Sequence, residues 1–198
     1  MVGPRRDVAR FRRQARGGAD VLPVVYALQT DALGDREAEV RPNPLDLDRL
    51  RPPDEESHER ISEKLGDLYM DPKWNTWDVH VGRTKTVGAH ARLEYSFMTA
   101  WCEPLGPIAY ASQDHPTLVF VLAAVADEEY TSAFVHRGRI RRWRMSERTW
   151  EKLADYEEED EEEGEFLADY QPRIMEALLA HWENAIAKKM ASVPKRRR

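Results

Sequence analysis

The chain has 198 residues, 41% of them hydrophobic and 9% aromatic, which is enough for one sizeable core with appendages. Cys102 is its single cysteine, which excludes an internal disulfide and a cysteine-based zinc site. The net charge of −6 is local: without the eight acidic residues of 157–165, 30 basic side chains stand against 28 acidic ones, and bulk charge gives no argument for nucleic acid.

In chain order, residues 4–16 predict a helix. Val8, Phe11 and Ala15 share one face, Pro4 suits the first turn and Gly17-Gly18 stops it. The other face carries Arg6, Arg10, Arg12, Arg13 and Arg16, a pattern that solvation alone explains. Residues 21–30 are apolar and partly β-branched, as in a strand, and 31–39 read as a loop. Residues 42–53 read as an extended ordered segment in which Leu45, Leu47 and Leu50 reach the core. Residues 57–69 predict a helix capped by Ser57, with Ile61, Leu65 and Leu68 as its buried stripe.

The central block is the clearest. Trp77, Val79 and Val81 alternate with polar residues, as do Leu93, Tyr95 and Phe97, so two half-buried strands flank a connecting loop at 82–90. Residues 103–114 predict a short helix closed by Pro116. Residues 118–126 are almost continuously apolar, as in a strand covered on both faces. Residues 130–135 and 139–144 flank His136-Arg137-Gly138, a hairpin turn signal.

Beyond that point the chain turns helical. Residues 146–156 form a helix capped by Ser146 and carrying Trp150, Leu153 and Tyr156, and 157–169 an acidic linker. Residues 170–192 predict one amphipathic helix with Ile174, Leu178, Trp182 and Ile186 on its apolar face, and 193–198 are a basic tail. That face either packs on the domain or meets a partner, including a second copy of the chain. Lys188 and Lys189 lie near the helix C-terminus, where the dipole favours positive charge.

Several stretches in the right order resemble the YubB-type ferredoxin-like domain of phage and plasmid proteins: LDLDRLRPPDE, PKWNTWDV at 72–79, LEYSFMTAWCEPLGPI at 93–108, HPTLVFVL and GRIRRW. The resemblance covers about residues 2–145 and lacks the family's Trp-Gly ahead of Lys73-Trp74-Asn75. It implies an α+β fold: a ferredoxin-like sandwich of antiparallel sheet with helices on one face, here with a C-terminal helical extension. It implies no reaction, cofactor or catalytic residue. In that fold the first strand is central, yet only Met1-Val2-Gly3 matches it. An upstream start, residues 21–30 or a strand from a second copy would each fill the gap, and residues 21–30 are the favoured filler.

No catalytic motif stands out. The six histidines form no metal-binding spacing, though His80 and His90 would lie side by side if their strands paired them. Trp74, Trp77 and Trp101 read as core aromatics, with a stacking surface as the alternative. Arg83, Lys85, Arg139, Arg141, Arg142 and Arg144 are the candidate contacts to nucleic acid or an acidic partner; arginines on an edge strand also guard against edge-to-edge aggregation. The N-terminal stretch has no apolar signal-peptide core and 118–126 is too short to span a bilayer, so the expected location is cytoplasmic, away from membrane. The reading is a non-enzymatic protein-binding or accessory module of a mobile element, without cofactor and with an unidentified protein partner. A nucleic-acid-binding accessory protein using the Arg-rich hairpin is the alternative.

Overall fold

The computed structural model describes residues 1–19, 42–72, 75–100, 102–126, 129–153 and 166–192. The expected strand at 21–30, the loop at 31–39, Trp74, Trp101, the acidic run 157–165 and the basic tail lie outside them.

The chain opens with strand β1 (Val2–Pro4) and helix α1 (Arg5–Gln14). Val8, Phe11 and Ala15 are buried, and Phe11 meets Phe120 edge-on at a ring separation of 5.1 Å. Asp7 accepts a 2.7 Å hydrogen bond from Thr117 Oγ1, fastening the helix to the turn at 116–117. After β2 (Gly17–Ala19) and β3 (Pro42–Asn43), Leu45, Leu47 and Leu50 are buried as expected.

A side-chain network holds that segment. Asn43 Nδ2 donates to the Thr76 carbonyl and Oγ1 at 3.0 Å each, and its Oδ1 accepts from Leu45 N. Asn75 Oδ1 accepts from Leu47 N, and Thr76 Oγ1 donates to the Leu45 carbonyl. Such bonds satisfy backbone groups that no strand ladder reaches.

Helix α2 (Glu55–Leu65) is capped by Asp54, whose carboxylate accepts from Ser57 N at 2.8 Å. Ser57 is therefore the third helical residue, not the cap. Gly66, at φ +51°, ends the helix, and 66–68 form a separate 3-10 turn.

Strands β4 (Trp77–Val81) and β7 (Tyr95–Met98) pair antiparallel, with a register irregularity between Trp77 and His80. The stretch between them is more than a loop: β5 (Lys85–Val87) and β6 (His90–Arg92) make a second ladder, turned at Gly88. His80 stands opposite Ser96, and His90 opposite Val87 and Pro4, so the two histidines are not paired.

Helix α3 (Leu105–Asp114) leads into β8 (Phe120–Ala126), β9 (Glu129–His136) and β10 (Arg139–Arg144), an antiparallel meander in the order β10-β9-β8. Arg137 and Gly138, at φ +52° and +67°, form the tight hairpin turn expected there.

Residues 2–4 form a strand with a neighbour on each side, while the favoured filler at 21–30 lies outside the described residues. β1 pairs with β6 along Val2–Arg92, Gly3–Ala91 and Pro4–His90. On its other side Val2 exchanges two 2.8 Å backbone hydrogen bonds with Val119, joining the two three-stranded sheets. A Cβ on Gly3 would run into the Leu118 side chain and the Thr117 carbonyl, so the close strand approach depends on glycine there.

The C-terminal segment is two helices. α5 (Phe166–Ala180) and α6 (Glu183–Ser192) are separated at His181-Trp182, where the turn tightens to Trp182 N→Leu179 O. α5 begins at Phe166, inside the stretch expected to be linker. Helix α4 (Glu147–Leu153) precedes them, with Ser146 and Thr149 hydroxyls 2.7 Å apart at its start.

Helices α1 and α3 cover one face of the sheet, with Phe120, Leu122, Ala133, Val135 and Ile140 turned toward them. α5 and α6 cover the other. Ile174 and Leu178 pack with Tyr130 and Met145; Trp182 and Ile186 pack with Val119 and Phe134. The helices α1 and α3 thus share one face as expected, and the C-terminal extension covers the other. The apolar face of the C-terminal segment is spent within the chain: Ile174, Leu178, Trp182 and Ile186 are at most 9% exposed, so they form no partner face.

Leu178 is fully buried. Leu178→Ala should lower the unfolding free energy by about 2–5 kcal/mol, measured by guanidinium titration. A change within about 0.5 kcal/mol would mean that α5 does not share the core.

Candidate functional site: a basic cleft beside the last strand

Along β10 side chains alternate between the two sheet faces. Ile140, Arg142 and Arg144 form one set. Arg142 Nη2 reaches Glu103 Oε1 at 3.1 Å and Arg144 Nη2 reaches Glu129 Oε1 at 3.2 Å. Glu103, just ahead of α3, also accepts a hydrogen bond from Thr131 Oγ1. Arg142 is therefore held by a largely buried carboxylate, while Arg144 makes an exposed surface pair.

Arg139, Arg141 and Trp143 form the other set, on the face covered by α5 and α6. Here Arg141 lies over the Trp182 ring, 5.1 Å from its centre, and Trp143 stacks on His181 at 4.1 Å with the rings 5° apart. Trp182 is 3% exposed, and its Nε1 donates to Ser132 Oγ at 2.9 Å. That bond anchors the break between α5 and α6 to β9.

The docking leaves a cleft of about 500 Å³ between α6 and the β9–β10 hairpin, lined by Phe134, Arg141, His181, Trp182, Lys188 and Lys189 among others. Arg137 and Arg139 stand at the turn of the hairpin. Among the described residues, no carboxylate pairs with Arg137, Arg139, Arg141 or Lys188. Arg137 donates instead to the Pro116 carbonyl at 3.2 Å.

His136 registers the local environment. Burial pushes its pKa down to about 4, and the charges of Lys189 and Arg137 add to the effect. Desolvation and nearby cations both disfavour the imidazolium.

The expected basic set is divided. Arg139 and Arg141 belong to the cleft side, and Arg142 and Arg144 to ion pairs. Arg83 and Lys85 lie at the opposite margin: Lys85 is on the edge strand β5, with β6, β1, β8 and β9 between it and β10. Lys188, Lys189 and His181 line the cleft although none stood among the candidate contacts. The lysines had a sufficient local explanation in the helix dipole, while the proximity of α6 to β10 has no local sequence signal.

Elsewhere, Cys102 is half-buried, and burial with the neighbouring Glu103 charge raises its thiol pKa. No group of three or more His, Cys, Asp or Glu suited to a metal occurs among the described residues, and no helix there is long and apolar enough to cross a membrane. No family model, curated protein or solved structure matches the chain.

Since the His136 pKa is about 4 when folded and ordinarily 6.5, the unfolded chain takes up this proton first as pH falls. The contribution of the neutral form is complete above about pH 6.5 and is lost progressively toward pH 4. His115, also lowered, with burial the main cause and the Arg10 charge contributing, acts in the same direction. Urea unfolding at stepped pH should show stability falling through this window, with a shallower fall in His136→Gln. An unchanged slope in the variant would remove His136 as a source.

Proposed function

We propose that this chain is a non-catalytic binding module with a ferredoxin-like core, and that it holds an anionic partner chain in the cleft between α6 and β10. The observation that carries the reading is that Arg141 and Lys188 line one cleft without a carboxylate partner among the described residues, with Arg139 two residues from Arg141 on the same strand. Like charges kept this close cost free energy in the empty protein, and a polyanion relieves that cost.

The strand arrangement supports the core assignment. With β4–β5 taken as one interrupted strand and β6–β7 as the next, the chain runs β-α-β-β-α-β through β1, α1, α3 and β8. The strands then stand in the order fourth, first, third, second, antiparallel throughout. The resemblance to YubB-type domains supports a role as an accessory protein of a phage or plasmid, working in the cytoplasm. Acidic protein segments and nucleic-acid backbones present the same charge to Arg141 and Lys188, so both fall within this reading.

The full chain should be retained on immobilised heparin at low salt and elute as salt rises. Arg141→Ala should elute earlier, with its log–log salt slope smaller by about 1. Arg83→Ala, at the opposite sheet margin, should elute with the parent. Passage through the column at low salt, where phosphate-like contacts are strongest, would sink the proposal.

A further inference from the structure

We infer that the occupant of the α6–β10 cleft is a single-stranded nucleic acid, its phosphates on Arg141 and Lys188 and one base against His181. The inference rests on the polyanion reading above and adds the chemical class of the ligand. An acidic peptide needs only cations. This cleft also has an aromatic platform at its mouth: Trp143 and His181 are parallel and in contact, and His181 is exposed at the cleft wall. The His181 ring also meets Trp182 at 4.7 Å and 89°, and its exposed part is where one more flat ring would stack.

Arg141 strengthens the case. Its guanidinium already lies over an indole, the geometry in which arginine also stacks on bases while keeping its N–H groups for phosphate. Lys188 is an exposed point charge on the opposite wall. A cleft of about 500 Å³ has room for a nucleotide unit while the strand continues outside it. Arg139, exposed two residues from Arg141 on β10, extends the positive surface along which a backbone would run. One amide, on Asn184, lines the cleft and can meet a base edge, so sequence preference should be modest.

The test uses the full chain and three probes of matched length: oligothymidylate of about 12 nucleotides, the same backbone without bases, and a polyglutamate peptide. Binding is followed at low salt by fluorescence anisotropy. Oligothymidylate should bind about tenfold more tightly than the abasic strand, the gain expected of a stacked base. His181→Ala should close most of that gap, and His181→Phe, which keeps a flat ring, should restore it. Lys188→Gln should weaken both nucleic-acid probes and reduce their salt dependence.

Equal affinity for the base-bearing and abasic strands would overturn the inference and leave the polyanion reading standing. Tighter binding of polyglutamate than of either strand would overturn it in favour of an acidic protein partner. Failure of all three probes at low salt would overturn the polyanion reading itself.

Discussion

The β8–β9 ladder has apolar side chains on both faces, and most of the molecule follows from covering them. Phe120, Leu122, Ala133 and Val135 point one way; Val119, Val121 and Phe134 point the other. A sheet face left bare would expose a contiguous apolar surface to water. α1 and α3 close the first side through Phe11, Leu105, Ile108 and Ala109. α5 and α6 close the second through Ile174, Leu178, Trp182 and Ile186. The C-terminal helices are thus part of the core although they follow the domain in sequence.

The same requirement creates the cleft. The helical segment breaks at His181-Trp182, where Trp182 reaches Ser132 and Phe134, and α6 then packs on Val119 and Phe134 with Arg141 across the cleft. This brings the lysines near the end of α6 to the side of the strand that displays Arg139 and Arg141. Trp182 therefore has two roles: it fills the second core, and its ring carries Arg141 on one side.

On the first face, polar groups do the corresponding fastening. Asn43, Asn75 and Thr76 bond the backbone of 45–47, which lies outside any ladder. Arg51 ties the same segment to Asp71 at 3.0 Å and to the Pro72 carbonyl at 2.9 Å. The LDLD and Asn75-Thr76 stretches are therefore two halves of one clasp.

What the amino-acid sequence determined by itself is local. Apolar alternation marked β4 and β7, the two-sided run marked β8, His136-Arg137-Gly138 marked the hairpin, and Leu45, Leu47 and Leu50 were legible as core. These signals act over a few residues, within reach of backbone geometry and side-chain spacing. Asp54 and Ser57 both suit a helix cap, and only the hydrogen bond from Ser57 N distinguished them. Tertiary structure decided the rest: which arginines of β10 meet Glu103 and Glu129, which meet α6, and that Arg83 lies at the far margin. Those partners are set by how helices dock on opposite sheet faces. A charged side chain carries no local record of that choice, because its energy depends on groups that only folding brings near.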